Sequence, residues 1–561
     1  MLNLILRNKA YILILIATAA TAGLITVALG FAYQYTWALI KTAMLKEKEL
    51  IFIITLLSIT LSFTLIQYFS ATKSRNSDIH LMLETLHLRA GHLSMRETTV
   101  RTLASTTSIM LSGTAGLEGP AIVAGGGIGA AISRLFKVPF QKQRKIYLAG
   151  VAAGFSALFK APFTAILFAI EIPYKRDVEK EAFVEAAVAS ALSYSVAVVL
   201  GGITPIFYLP STPSLNLNVI AHSIILGVIC GLYSAFFVRV YNLADSLGRR
   251  SLVRGGFGLL LLIGGLSLGL IGFINFESIG AGYETVENLA SNKSAYTIPL
   301  LLTLTILRLF STTIFLNFGG SGGLLTPTIV EGALIGASYS IAVTQTIEPT
   351  YLAVGMAAML SGTHKIFLAP AAFIAETAGP YAIIPGLLAS LCSFFASGSL
   401  SLFPSQPSAK VYEEELALER IYGKASKIAP QIISRLKASD VMSDNPITLT
   451  EDENVATALK KFEAVPYRVL PIVDSGRRPI GVVRLEELVS ASRKSLKLPV
   501  LTTYAEKPVT VPLTTPLNEV VTIMLNKNAD HIYVVDNKGE LIGVIAKIDI
   551  ARSLIRYYTT Y

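Results

Sequence analysis

Long apolar stretches alternate with short polar ones from the first residues to about Ser405, and beyond that point the pattern changes. Tyr11 to Leu29, Ile51 to Ile66, Phe257 to Ile274 and Tyr381 to Ala396 are almost free of charge and long enough to cross, or nearly cross, the hydrocarbon core of a bilayer as helices. Backbone in lipid must satisfy its hydrogen bonds internally, so such runs predict a polytopic α-helical membrane protein. The first run follows Arg7 and Lys9, as a signal peptide would. It is too long, however, and shows no small-residue cleavage site before further spans begin, so it reads as a retained helix that starts in the cytoplasm.

After Ser405 a charged segment, Lys410 to Lys437, leads into the alternating strand and helix pattern of a water-soluble α/β domain. Within it, Ser439 to Arg493 and Ala505 to Ile555 read as two copies of one unit: a loop, an amphipathic helix, two short strands with an Asp-then-Gly turn between them, and a closing helix. These readings predict a membrane domain over 1–405, a linker over 406–437 and a paired domain over 438–561, its copies near 438–495 and 500–557.

The membrane part also repeats, with halves near 1–215 and 216–405. Gly119 to Ser133 (GPAIVAGGGIGAAIS) aligns without gaps on Thr326 to Ser340 (TPTIVEGALIGASYS), and eight of the fifteen positions are identical. LFKAPFTAI from Leu158 likewise aligns with IFLAPAAFI from Ile366. Internal repeats in transporters commonly place the binding site between the halves.

Composition agrees with this division: of 561 residues 52% are hydrophobic and only 15% charged, more apolar surface than a soluble globule can hide. The net charge of +10 sits largely in loops and the tail, where basic residues fix membrane orientation, so it does not indicate nucleic acid. Cys230 and Cys392 each lie inside an apolar run without metal-ligand spacing, and no metal site is expected. The chain has no Walker loop or catalytic triad, which argues against an enzyme, and no cluster of carboxylates within the spans, which argues against a cation transporter.

Each half carries a glycine-rich turn followed by a proline and an apolar helix: GTAGLEGP at Gly113 to Pro120 and GGSGGLLTP at Gly319 to Pro327. A proline early in a helix marks its N-terminus, where unpaired N–H groups and the positive end of the helix dipole attract anions. Partial charges of this kind bind an anion and still let it leave, as conduction demands.

GLEGP resembles the GREGP motif, and GGLLTP the GIFAP motif, of the CLC chloride channel and transporter family; FKAPFTAILFAIE at Phe159 to Glu171 is similar to the family's FNAPL segment, and the tail copies resemble a tandem CBS pair. The resemblance covers nearly the whole chain. It implies the CLC fold with two inverted-topology repeats, followed by a cytoplasmic α/β CBS pair, in a homodimer embedded in the cell membrane with a separate pore in each subunit. It makes Glu118 the gating glutamate and chloride the permeant ion. The ion would be held by Ser77, by Gly119, by the backbone N–H groups of Leu324 and Leu325, and by the hydroxyl of Tyr412 in KVYEEEL. It also implies an adenine nucleotide at the CBS pair through Asp549, although Ala546 replaces the usual threonine and Arg484 and Glu487 occupy the matching places of the first copy.

Two departures from the family bear on mechanism. Where the family has GSGIP this chain has Asn76, Ser77, Asp78, Ile79 and His80, which keeps the serine but adds a charge unfavourable to anions. At the inner glutamate that hands protons to the gate in exchangers stands Ile172, which cannot carry a proton. Taken alone, Ile172 favours a passive, voltage- or pH-influenced chloride channel over a proton-coupled chloride or fluoride antiporter. Lys160, Glu171 and Glu376 are further charges within the spans, each a structural pair or an ion-path residue, with a structural role the plainest for Glu171.

Overall fold

The computed structural model describes residues 2–409 apart from 73–76, 90, 139, 210–215, 254–255 and 292–295, and residues 436–553 apart from 464–468, 486–487, 489–497, 501–504, 528, 530, 548 and 551–552. It divides into two compact units, Met1–Lys410 and Val411–Tyr561.

Among its described residues the regular elements of the first unit are helices. Its first half holds α1 (Leu2–Lys46), α2 (Leu50–Phe69), α3 (Asp78–Leu88), α4 (Met95–Met110), α5 (Glu118–Leu135), α6 (Phe140–Phe159), α7 (Pro162–Glu171) and α8 (Phe183–Gly201). The second half repeats the series in order: α9 (Leu217–Val253), α10 (Phe257–Ile274), α11 (Tyr283–Ala290), α12 (Ile298–Asn317), α13 (Leu325–Thr344), α14 (Pro349–His364), α15 (Leu368–Ala378) and α16 (Ile383–Ala396). Among the described residues six of these helices, α1, α2, α8, α9, α10 and α12, are long and apolar enough to cross a membrane. The predicted span at Tyr11 to Leu29 is the middle of a helix that continues to Lys46. The one at Tyr381 to Ala396 is shorter than expected: Gly379, at φ +113°, and Pro380 force a 3₁₀ turn, and α16 begins only at Ile383.

The glycines of the repeated motif explain the core. α5 packs on α6, and α13 on α14, with backbone against backbone. A Cβ at Gly125 would stand 2.1 Å from the Gly150 carbonyl oxygen, and one at Gly332 would stand 2.4 Å from that of Gly355. Small residues at such crossings let membrane helices approach until van der Waals contact and shared polar groups hold them.

In the second unit each copy contributes a parallel and an antiparallel strand pair. β2 (Leu449–Thr450), β3 (Val469–Val473) and β4 (Pro479–Arg484) form one sheet in the order β2-β3-β4, with β3 and β4 antiparallel. β5 (Thr510–Pro512), β6 (His531–Val535) and β7 (Leu541–Ala546) repeat that arrangement. β1 (Ser443–Asp444), at the start of the first copy, pairs antiparallel with β7 of the second. Val473 and Val482 share a buried cluster with Tyr533 and Leu541, so the two copies share apolar core as well as strand pairing.

Candidate functional site

The two glycine-rich turns meet. The Gly116 N–H donates to the Gly323 carbonyl oxygen and the Gly323 N–H to that of Gly116, both at 3.0 Å, an antiparallel bridge between the halves. α5 and α13 begin immediately after it, so two helix N-termini lie on either side of one junction. Their exposed N–H groups favour a negative charge there.

That charge is supplied by the chain itself. Glu118, the first residue of α5, is fully buried and turns across to the other half. Its Oε1 accepts from the Leu325 N–H at 2.8 Å and the Thr326 N–H at 3.1 Å, and its Oε2 accepts from the Thr326 hydroxyl at 2.7 Å. The surrounding glycines leave the room it needs: a Cβ at Gly116 would lie 1.8 Å from Oε2, and one at Gly323 would lie 2.1 Å from Oε1. The carboxylate thus fills a seat built from backbone amides and one hydroxyl, a donor set that suits any small anion as well as a carboxylate.

Of the residues expected to hold an anion, Gly119, Leu324 and Leu325 are all at this junction and buried. Ser77 joins them. It caps α3, its Oγ accepting from the His80 N–H at 3.4 Å, and the neighbouring Asp78 N–H donates to the Gly322 carbonyl oxygen at 3.2 Å. Tyr412 and Glu487 lie outside the described residues. Ile172 is buried at the end of α7, and its carbonyl oxygen accepts from the Gln406 side chain at 2.9 Å. Asp549 belongs to the second unit, where its Oδ2 accepts from the Ala546 N–H at 2.9 Å.

Sequence reasoning passed over two contributors. Thr326 supplies two of the three hydrogen bonds to Glu118, and the Tyr283 hydroxyl accepts from the Leu117 N–H at 3.2 Å, which ties the start of α11 to the start of α5. The internal repeat carried a signal for Thr326, since the alignment sets it opposite Gly119.

Glu171, Glu376 and Lys160, with Lys365, sit at helix ends in two matching pairs. Glu171, at the end of α7, accepts from the N–H groups of Phe367, Leu368 and Ala369 at the start of α15. Glu376, near the end of α15, accepts from the N–H groups of Phe163 and Thr164 and from the Thr164 hydroxyl at the start of α7. Lys160 donates to the Gly201 carbonyl oxygen at the end of α8, and Lys365 to that of Phe394 near the end of α16. Carboxylates stand at helix N-termini and ammonium groups at C-termini, as the helix dipole favours.

Comparison with known proteins gives a consistent result. The family model described as voltage gated chloride channel matches residues 55–398, and the CBS domain model matches residues 438–494 and 502–556. A curated relative named H(+)/Cl(-) exchange transporter ClcA, of Citrobacter koseri, is 26% identical over 409 residues, covering 68% of this chain and 84% of its own length. The protein of the same name from Vibrio cholerae is 27% identical over 298 residues, covering 49% of this chain and 61% of its own. Among solved structures, a CLC-type fluoride/proton antiporter superposes with TM-score 0.60 at 20% identity, covering 72% of this chain and 98% of its own. A eukaryotic CLC transporter superposes with TM-score 0.58 at 18% identity, covering 96% of this chain and 98% of its own.

Proposed function

The chain belongs to the voltage gated chloride channel family, and we propose that it moves chloride across the membrane in exchange for protons, with Glu118 alternately blocking the anion path and holding the proton. The observation that carries this reading is the seat of Glu118: three donors from the opposite half hold its carboxylate where an anion would bind. Carboxylate and chloride compete for the same amides, so one must leave for the other to enter. Protonation removes the negative charge and with it most of the attraction to the seat. Each departure of Glu118 therefore joins a proton to an anion.

Ile172 alone would favour a passive channel, since it cannot relay protons. The relatives named as H(+)/Cl(-) exchange transporters support exchange instead. To the same reading belong a homodimer with one pore in each subunit, Ser77 and Tyr412 as further anion ligands, and a cytoplasmic location for the N-terminus and the CBS pair.

Purified protein in liposomes tests it. With a chloride gradient imposed and internal and external pH recorded, chloride efflux should drive protons against their own gradient. Glu118→Gln should abolish the proton movement and leave a chloride flux. Chloride flux without uphill proton movement in the unmodified protein would rule out exchange and restore the passive channel.

A further inference from the structure

A second carboxylate stands at the same junction. Asp78, the first residue of α3 and next to Ser77, is fully buried. Its Oδ1 pairs with Arg101 of α4 at 3.2 Å and accepts from the Ser321 hydroxyl at 3.5 Å. Among the described residues its Oδ2 has no hydrogen-bond partner. That oxygen faces Gly119: a Cβ there would lie 2.6 Å from it and 2.5 Å from the Gly323 N–H nitrogen. Glu118 and Asp78 thus approach one backbone crossing, and Asp78 brings to it a buried oxygen that no donor among the described residues satisfies.

The repeat shows what is unusual here. Arg101 and Arg308 hold matching places in α4 and α12, both fully buried. Arg308 donates to the carbonyl oxygens of Glu277, Gly280 and Ala281, just ahead of α11. The first residue of α11 is Tyr283, whose hydroxyl serves the start of α5; the first residue of α3 is an acid. Only the first half therefore puts a titratable charge at the junction from this position.

We propose that Asp78 is a second tethered carboxylate of the transport path, one that takes up a proton at Oδ2 as an anion settles between Ser77 and Arg101. The inference rests on the exchange reading and supplies the proton carrier that Ile172 cannot be. Electroneutrality drives it. With Asp78 ionised, the buried Arg101–Asp78 pair is neutral and repels no anion strongly, but it offers none a net attraction. One proton on Oδ2 leaves the pair at +1, and one chloride restores neutrality, so proton and anion each favour the other's binding in a medium of low dielectric constant. Among the described residues the charged and titratable groups around Asp78 are Arg101 from α4, Glu118 from α5, and His80 and Glu84 on α3 itself, which pair with each other at 3.1 Å; α6 faces α3 with Tyr147, whose hydroxyl donates to the Met82 carbonyl oxygen.

The test uses the full-length protein with the first carboxylate silenced. In Glu118→Gln, chloride flux should still rise about tenfold from neutral pH to about pH 4.5. In Glu118→Gln/Asp78→Asn it should be flat with pH, and Asp78→Asn alone should move chloride while losing uphill proton movement. A second measurement needs no change at Asp78: calorimetric titration of Glu118→Gln with chloride in buffers of different ionisation enthalpy should show uptake of about one proton per chloride. If Asp78→Asn does not fold because Arg101 loses its counter-charge, Asp78→Asn/Arg101→Gln removes both charges and should be equally flat in the Glu118→Gln background. A flat Glu118→Gln, a slope that survives loss of Asp78, or chloride binding without proton uptake would each overturn the proposal. If the unmodified protein moves no protons, the exchange reading fails by itself, and the Glu118→Gln comparisons still decide whether Asp78 titrates with the anion.

Discussion

On the proposed exchange reading, the strength of the Glu118 seat sets how easily the path opens. Thr326 gives the carboxylate a hydroxyl and an N–H, while the Leu325 N–H gives the third bond. A hydrogen bond to a charged group contributes about 1.5–3 kcal/mol. Thr326→Val keeps the shape and the N–H but removes the hydroxyl, so Glu118 should leave its seat about tenfold more readily. The expected outcome is a higher chloride flux at neutral pH and a weaker acceleration on acidification, read in the liposome assay. Gly323→Ala is a harsher change, because its Cβ would fall 2.1 Å from Oε1. Glu118 stood out in the sequence through the resemblance of GLEGP to the family's GREGP motif. Thr326 did not, because its partner lies 208 residues away and only the meeting of the two turns makes it a ligand.

At the scale of the element, the halves are fastened by exchanged caps. α7 and α15 each end near a glutamate that satisfies the other's first N–H groups, and a helix start left without partners in a buried setting is costly. Glu171→Ala should therefore destabilise the membrane unit by about 3 kcal/mol. Glu376 is only half-buried and water can take over part of its work, so Glu376→Ala should cost about 1 kcal/mol. Thermal unfolding in detergent, followed by loss of the monodisperse peak, would rank the two, and an equal effect would contradict the burial argument. The sequence left Lys160 and Glu376 open between scaffold and ion path, since an intramembrane charge looks functional until its partner is known. Both find partners at helix ends in the fold. The order of the elements, by contrast, was readable, because the repeat in GPAIV and TPTIV fixes one half once the other is recognised.

At the scale of the whole molecule, the CBS unit joins its two copies through shared strands and a shared cluster. β1 joins the sheet of the second copy through Ser443 opposite Val544, and Tyr533 packs with Val473 and Val482 of the first. Each copy has a buried cluster of its own, but the cluster they share and the β1–β7 pairing couple them, so the pair should unfold in a single transition. Val482→Ala, in the first copy, removes two methyl groups from the shared cluster and should cost about 1–3 kcal/mol. The loss should appear in the near-ultraviolet signal of Tyr533, in the second copy, at the same midpoint as in the far-ultraviolet signal of the whole pair. Two separated transitions would mean that the copies fold independently. Alkali gives an orthogonal check. Burial holds the Tyr533 hydroxyl above its ordinary range, so the folded pair keeps that proton where the unfolded chain has lost it. Stability from this source is complete below about pH 10 and declines as the pH rises further. Tyr533→Phe keeps the ring in its cluster and removes the ionising group, and it should make the midpoint of unfolding less sensitive to pH above that point.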